Sequence, residues 1–287
     1  MRLWMMALLC VSGWAGPLAA QDAKPQAETP SEASPGILYP IDVAVDGDGV
    51  VYVADRQLPG IWTLKDGKSE VFFQAEKKFR TPLNAIRCLA VDAENRLFAG
   101  CSTTTEIFRF DEGKPVPLSG GNVSVPMNMI VDGDQVIVCD LKMRFLDSVP
   151  ASGGTLKELA EIQGAKAVAK DGESYLVLTG TENPILKVNP LDGSSEVVVK
   201  GRPFNFPADM VRLDDGTLIV SDSYERCLWK VTDGKPEKWI QDDRFSNPVG
   251  LALHQGQVIV CDSRANAVFA VATDGEVSVL WQGTPTP

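Results

Sequence analysis

The sequence predicts an all-β fold: a six-bladed β-propeller with four antiparallel strands in each blade. The first observation is that residues 40–55 form a unit of two apolar runs around an acidic glycine turn, closed by Asp55. Five further copies follow at a spacing near forty residues. The second observation is that copies continue into two more short apolar runs, commonly separated by Asp-Gly. Repeats of this length built from β-type segments are typical of propellers.

Six such units divide the chain after residue 36. Their closing residues are Asp55, Cys101, Asp140, Gly180, Asp222 and Asp262. Runs rich in Val, Ile, Phe and Trp between turn residues are typical of antiparallel hairpins. The predicted domain spans 37–287, with blades near 37–74, 83–118, 126–162, 165–200, 207–241 and 248–282. Residues 37–39 are a candidate for an added strand that closes the ring, although six complete units do not require one.

The third strand of two blades departs from the pattern. Four blades carry an aromatic residue near its centre, namely Trp62, Phe108, Trp229 or Phe269. Blades three and four carry Asp147 and Lys187 there instead. We expect both charged side chains to turn toward solvent. The alternative is that they pair with each other between neighbouring blades.

The first twenty residues have the pattern of a secretory signal peptide. Arg2 precedes an apolar core over 3–14, and small residues precede Gln21. An N-terminal membrane anchor is the alternative, but the core is short for a span. Residues 21–36 are rich in Pro and Ala without an aromatic residue, which predicts a disordered linker. We therefore expect a secreted or periplasmic protein with no integral membrane span after signal removal.

Charge and histidine content exclude several functions. The net charge of −11 argues against nucleic acid as a partner, because phosphate binding needs clustered Lys and Arg. A single histidine, His254, cannot form a multi-histidine zinc centre, and no Cys-x-x-Cys pair, phosphate-binding loop or dinucleotide motif occurs. The sequence thus carries no zinc, haem or nucleotide signature. We expect a monomer.

Removal of the signal segment leaves five cysteines. Folding the second unit about residues 93–96 places Cys88 opposite Cys101, which makes them a disulfide candidate. The alternative is two buried thiols, because cross-strand Cβ atoms about 4.5–5.5 Å apart are wide for an unstrained bridge.

Two stretches carry a resemblance to known proteins. They read PIDVAVD…VYVAD over 40–55 and PVGLAL…VIVCDS over 248–263. The chain resembles NHL-repeat and regucalcin/gluconolactonase-like six-bladed propellers over nearly all of 37–282. The resemblance implies a divalent-metal-dependent hydrolase of the lactonase or esterase type as one function. The family's cation ligands fall closest to Ile41, Arg87, Met127, Lys166, Ala208 and Val249, and the family's glutamate is absent.

One position in the first strand of each unit alternates between polar and small residues. It holds Asp42, Asn128 and Asp209 in odd units, and Cys88, Ala167 and Gly250 in even units. A six-bladed ring spaces the three polar residues about 120° apart around the channel. Converging oxygens suit Ca²⁺ or Mg²⁺ with an activated water. The alternative is that each side chain caps its own strand or binds water in the channel.

Basic residues concentrate in the loops that join second to third strands and successive blades. The candidates for ligand binding are Arg87, Arg202, Arg226, Arg264 and Tyr224. They favour a small anionic molecule or a protein as partner. The alternative is that the basic loops balance four aspartates at the ends of second strands, here called the loop aspartates: Asp55, Asp140, Asp222 and Asp262. We expect these to accept N–H bonds within the loops.

The leading interpretation is an extracytoplasmic binding or scaffold module for such an anionic ligand or protein partner. The alternative is the lactonase-type hydrolase, with Asp42, Asn128 and Asp209 as metal ligands.

Overall fold

The computed structural model describes residues 36–57 and 59–283. The predicted signal peptide and residues 21–35 of the predicted linker lie outside these described residues. Within them the chain forms only strands, turns and loops. None of this described part is a helix long and apolar enough to span a membrane.

The strands follow one another in groups of four. Blades one to three comprise β1 Pro40–Val45, β2 Val51–Asp55, β3 Gly60–Lys65, β4 Lys68–Gln74, β5 Ile86–Val91, β6 Leu97–Cys101, β7 Glu106–Asp111, β8 Lys114–Pro117, β9 Pro126–Asp132, β10 Gln135–Asp140, β11 Phe145–Pro150 and β12 Lys157–Glu161. Blades four to six comprise β13 Ala165–Asp171, β14 Ser174–Thr179, β15 Ile185–Val188, β16 Ser195–Val199, β17 Pro207–Arg212, β18 Leu218–Asp222, β19 Cys227–Thr232, β20 Lys235–Gln241, β21 Pro248–His254, β22 Gln257–Asp262, β23 Ala267–Val271 and β24 Val277–Gln282.

Each group of four consecutive strands forms one antiparallel sheet. The first strands β1, β5, β9, β13, β17 and β21 contact one another in a closed cycle, so they surround a central channel. This confirms the predicted six-bladed propeller. Residues 37–39 do not join the last sheet as a strand. Instead Ile37 packs in the core between the last and first blades, beside Trp281.

The core lies between neighbouring blades. Because strand side chains alternate between the two faces of a sheet, each blade presents one apolar face to each neighbour. Val53 and Trp62 face the sixth blade, for example, whereas Ala54 and Ile61 face the second. Burial of a Val or Ile side chain contributes about 1.5–3 kcal/mol. Since residues 37–39 add no strand to the last sheet, packing between the first and last blades closes the ring.

The tight Asp-Gly and Glu-Gly turns join third to fourth strands. At Asp66-Gly67 both residues have positive φ, of 50° and 73°, and Asp233-Gly234 repeats this with 51° and 71°. Two central residues with positive φ define the hairpin turn whose twist matches that of the strands. The sequence therefore encodes these hairpins locally.

The structure contradicts the disulfide candidate and agrees with the alternative of two buried thiols, since Cys88 and Cys101 are both free and buried. A β-bulge between Ile86 and Cys88 shifts the strand register by one residue. Cys101 therefore lies opposite Ile86, and Cys88 lies opposite Gly100. The one-residue shift sends the two side chains to opposite faces of the blade, into different core clusters.

The expectation that both charged side chains turn toward solvent is wrong for Asp147 and confirmed for Lys187, whose side chain is 37% exposed. Asp147 is 1% exposed rather than solvated, and its Oδ1 has no hydrogen-bond partner in the described part of the chain. Lys187 does not pair with it; its Nζ lies 2.8 Å from Asp171 Oδ2. Leu186, not Lys187, takes the position equivalent to the aromatic residues, because Lys187 lies opposite Leu176 on the other face of its blade.

Candidate functional site

A β-bulge at the start of the first strand of every blade shapes the channel mouth. In blade one the register shifts between Pro40 and Asp42, and equivalent irregularities occur in the other five blades. A bulge leaves one residue outside the ladder and redirects its side chain. The residues redirected in this way all line one cavity: Ile41, Arg87, Met127, Lys166, Ala208 and Val249.

This cavity, here called the mouth cavity, has a volume of about 820 Å³. Its wall comes from loops between second and third strands, such as Arg56 and Ser102, and from loops between blades, such as Asn84 and Asn247. These loops form what we call the loop face, and the opposite end is the turn face. The mouth cavity is thus open where propeller loops offer the most variable side chains.

Asp42, Asn128 and Asp209 form the floor of the mouth cavity, and we call them the polar layer. Asp42 and Asn128 also line a second channel cavity of about 380 Å³ toward the turn face. The structure therefore brings together the three residues predicted as metal ligands, in a layer that divides the channel.

Each member of the polar layer accepts a hydrogen bond from the next blade. Leu89 N donates to Asp42 Oδ2 at 2.7 Å, Val168 N donates to Asn128 Oδ1 at 3.1 Å, and Leu251 N donates to Asp209 Oδ2 at 2.7 Å. The innermost strand of a blade has one edge without a strand partner, so its buried N–H groups need other acceptors. Odd blades supply these acceptors to even blades.

Close packing between blades six and one shows why a small residue is needed at Gly250. A Cβ atom on Gly250 would lie 2.6 Å from Asp42 Oδ1 and 2.9 Å from Cys261 Sγ. Contacts that short do not occur in folded proteins, so the carboxylate of one blade needs a small residue in its neighbour. The alternation therefore has a structural role between blades, in addition to the bond that Asp209 accepts within its own strand from Met210 N.

The two carboxyls of the polar layer are buried close enough to influence each other. Burial raises the pKa of Asp42 well above its usual value, and the negative charge of Asp209 raises it further. Burial also raises the pKa of Asp209, to about 7, against the opposing effect of the Leu251 and Met210 N–H groups. The layer consequently holds protons more firmly than exposed carboxyls do.

The hydrogen bonds of the polar layer do not fit a cation at its centre. Because Val168 N–H needs an oxygen acceptor, the Asn128 side chain must turn its NH₂ group the other way. That group donates to Asp209 Oδ1 at 3.0 Å, where a metal would need an oxygen. The described residues also contain no cluster of three or more His, Cys, Asp or Glu that suits a metal. The Ca²⁺ or Mg²⁺ site stays a prediction that requires Asn128 to rotate.

The loop aspartates hold the loop face in place, as expected. Asp262 Oδ1 accepts N–H bonds from Asn247, Arg264 and Ala265, at 2.9, 3.1 and 2.9 Å. Asp140 and Asp222 do the same for their loops, and Asp55 accepts from Leu38, Tyr39 and Gln57. Their partners in these bonds are backbone amides, which satisfy the carboxylate oxygens and fix the path of each loop.

Cations form ion pairs on both faces, as Arg244 does with Asp242 on the loop face. On the turn face, Lys170, Lys187 and Arg212 each form an ion pair with an aspartate. Within residues 36–57 and 59–283, Arg87 forms no ion pair, although it is exposed at the mouth cavity. An unpaired cation in a concave site is a ready partner for an anion.

Lys166 is the site residue that sequence reasoning did not select. The Cβ position at Gly180 lies 3.2 Å from Lys166 Cε, so the lack of a side chain at Gly180 leaves room for Lys166. Lys166 Nζ donates to the Pro207 carbonyl at 2.7 Å and lies 4.1 Å from the Phe206 ring centre. Burial lowers the pKa of Lys166, while the negative charge of Asp222 acts against this. Its charge at an otherwise mostly apolar repeat position was the available signal.

The other predicted ligand-binding residues lie beside the mouth cavity. Tyr224, Arg226 and Arg264 line a second depression on the loop face, of about 560 Å³, here called the outer groove. Arg202 is exposed in the loop before blade five and lines neither the mouth cavity nor the outer groove. The structure therefore groups four of the five predicted residues and separates Arg202.

Comparison with known proteins supports the fold alone. No family model and no curated protein matches the chain. Among solved structures, a gluconolactonase from Xanthomonas campestris is similar with 15% identity and a TM-score of 0.69, over 85% of this chain and 87% of that chain. A chain of the nidogen/laminin complex is similar with 13% identity and a TM-score of 0.63, over 81% and 89%.

A third solved structure is an inactive virginiamycin B lyase from Staphylococcus aureus with quinupristin. It has 12% identity and a TM-score of 0.64, over 86% of this chain and 85% of that chain. At such identities the likeness establishes a six-bladed propeller and leaves the function open, because this fold carries unrelated activities.

Proposed function

We propose that the protein is an extracytoplasmic binding module whose mouth cavity holds a small anionic ligand. The observation that carries this proposal is the composition of the six redirected positions. Arg87 and Lys166 are cationic, and Ile41, Met127, Ala208 and Val249 are apolar. Two cations over an apolar wall match a carboxylate attached to a less polar body.

The rigidity of the site supports binding. Lys166 is fixed by a carbonyl and an aromatic ring, and the loop aspartates fix the surrounding loops through several N–H bonds each. A preorganised site loses less conformational entropy when it binds a ligand. The polar layer beneath closes the floor, so a ligand enters from the loop face.

Replacing Arg87 or Lys166 with alanine is expected to weaken anion binding about 10- to 100-fold, the usual value of a hydrogen bond to a charged group. Isothermal titration with galacturonate, benzoate and neutral galactose measures this. The exposed turn-face variant Lys235→Ala is the control and keeps the wild-type affinity. Equal affinity for galacturonate and galactose, or anion binding that survives both cavity variants, would overturn the proposal.

A lactonase-type hydrolase is the second candidate. The observation that favours it is the pair of buried carboxyls, Asp42 and Asp209, with raised pKa values at the floor of a cavity. Perturbed carboxyls of this kind occur at catalytic sites. Structural burial between blades explains the same shift, so this observation favours hydrolysis less strongly than the cations favour binding.

Millimolar CaCl₂ or MgCl₂ is expected to leave the melting temperature unchanged, because Asn128 presents its NH₂ group to the centre of the polar layer. A ligand that binds the folded state alone would raise it. Differential scanning fluorimetry of the wild type and of Asn128→Ala makes the test. A metal-dependent rise in the wild type that the variant loses would favour the hydrolase.

A further inference from the structure

The outer groove continues the mouth cavity across the junction of blades five and six. Phe206, Ser223 and Asn247 line both depressions. A ligand held at Arg87 and Lys166 can therefore extend outward over Phe206 and remain in contact with the protein. Together the two depressions form an elongated site with one end at the channel axis.

The far end of the outer groove carries two unpaired arginines. In the described ranges 36–57 and 59–283, neither Arg226 nor Arg264 forms an ion pair or a side-chain hydrogen bond. The neighbouring Arg244 differs, because it donates to Asp242 at 2.8 and 2.7 Å. Two guanidinium groups without partners are available to bind an anionic group in the outer groove, separate from the cations of the mouth cavity.

The loops hold these arginines in fixed positions. Asp222 accepts N–H bonds from Tyr224 and Glu225, directly before Arg226, whose backbone φ of 55° ends the loop. Asp262 accepts the N–H bond of Arg264 itself at 3.1 Å. The fixed backbone of each arginine limits the region that its guanidinium group can reach, which favours a ligand of defined length.

Between the two cationic ends lie exposed aromatic rings and short polar side chains. Phe206 is 57% exposed and Tyr224 is 73% exposed. The Ser223 and Ser246 hydroxyls and the Asn247 amide line the same surface. Flat rings pack against the apolar C–H faces of sugar rings, and hydroxyl and amide groups exchange hydrogen bonds with sugar hydroxyls.

The backbone of this junction is poorly suited to an extended peptide. Peptides that add to a protein as strands need unpaired backbone N–H groups. Here the N–H groups of Asn205 and Phe206 donate to Asp222, and those of Ser246 and Asn247 donate to Asp262. Recognition must therefore rely on side chains, which suits a carbohydrate.

We propose that the mouth cavity and outer groove together bind a linear oligomer of acidic sugars, with one carboxylate at Arg87 and Lys166 and another at Arg226 and Arg264. This rests on the proposed function, since the first carboxylate occupies the mouth cavity. Joining two anionic groups in one ligand converts the second contact into an intramolecular one, which raises affinity without changing either subsite.

The test is isothermal titration of the full chain with galacturonate, trigalacturonate, neutral maltotriose and triglutamate. Trigalacturonate is expected to bind about 10- to 100-fold tighter than galacturonate. The double variant Arg226→Ala/Arg264→Ala loses this advantage and keeps the wild-type affinity for galacturonate. Tyr224→Ala weakens the binding of trigalacturonate and leaves the affinity for galacturonate unchanged. The control is Arg202→Ala, an exposed arginine on the same face outside both depressions, and it changes neither affinity.

Four results would overturn the inference. Equal affinities for galacturonate and trigalacturonate, with galacturonate binding still dependent on Arg87, would remove the second subsite and leave the proposed function intact. Retention of the trigalacturonate advantage by the double variant would place the second carboxylate elsewhere. If triglutamate binds as tightly as trigalacturonate, the site does not select sugars and an acidic peptide becomes the inferred ligand. Absence of binding by any anion would remove both proposals.

Discussion

Replacing Asp209 with alanine is expected to lower the free energy of unfolding by about 3–5 kcal/mol, because buried donors lose their shared acceptor. Leu251 N and Met210 N each donate to this carboxylate at 2.7 Å, and Asn128 Nδ2 donates at 3.0 Å. Asp209 is 4% exposed, so these bonds are made to a buried carboxylate rather than to a solvated one. Urea denaturation followed by tryptophan fluorescence measures the loss.

Two further variants sharpen this test. Asp214→Ala removes an exposed carboxylate of the same blade and is expected to change stability by less than about 0.5 kcal/mol. Asp209→Asn keeps one acceptor oxygen but turns an NH₂ group toward existing donors, so its loss is intermediate. If Asp209→Ala lowers the free energy of unfolding no more than Asp214→Ala does, the polar layer does not hold the fifth and sixth blades together.

The features that repeat along the chain could be predicted because each copy contains the same short sequence pattern, which determines its local backbone structure. The Asp-Gly turns require positive φ, which Gly adopts without strain, and they fix the hairpins regardless of the rest of the fold. The loop aspartates could be assigned for the same reason. Asp55 and Asp262 occupy the same position in their repeats and accept equivalent N–H bonds.

Strand register could not be read from the repeat. A bulge at the start of each first strand changes which residues are opposite each other, and no single residue type marks it. The disulfide prediction failed at this point, because a shift of one residue moved Cys101 away from Cys88. The assignment of Lys187 failed similarly, since Leu186 occupies the equivalent position.

The candidate site was predicted in part. Sequence alternation identified Asp42, Asn128 and Asp209, but their partners are N–H groups on an unpaired strand edge, which become visible only in three dimensions. Arg202 was grouped with the site because the path of a loop between blades is not set by the repeat. The side chain of Lys166 reaches the site through the space left by Gly180, a contact between blade elements that lie apart in sequence.

Replacing Asp147 with leucine is expected to stabilise the protein at pH 8 by about 1–3 kcal/mol, because a buried carboxyl with an unpaired oxygen becomes apolar. Burial, followed by the negative charges of Asp140 and Glu158, raises the pKa of Asp147 to about 7. Its neighbour across the sheet is Val138, which belongs to the core between blades two and three. Leucine adds less volume than the aromatic residues of other blades and so limits overpacking.

The gain depends on pH with a definite sign. Since the folded pKa of Asp147 lies above the unfolded value, the stability linked to its proton is fully present below about pH 4 and is lost as the pH rises through about 7. The leucine variant should therefore gain about 2 kcal/mol more at pH 8 than at pH 5. Urea denaturation at both pH values measures this difference. Glu70→Leu, at an exposed position in the fourth strand of blade one, serves as the control and shows less than about 0.5 kcal/mol of change at either pH. An equal gain at both pH values would mean that the Asp147 carboxyl remains ionised in the folded state at pH 5, and would place its pKa near that of an exposed aspartate.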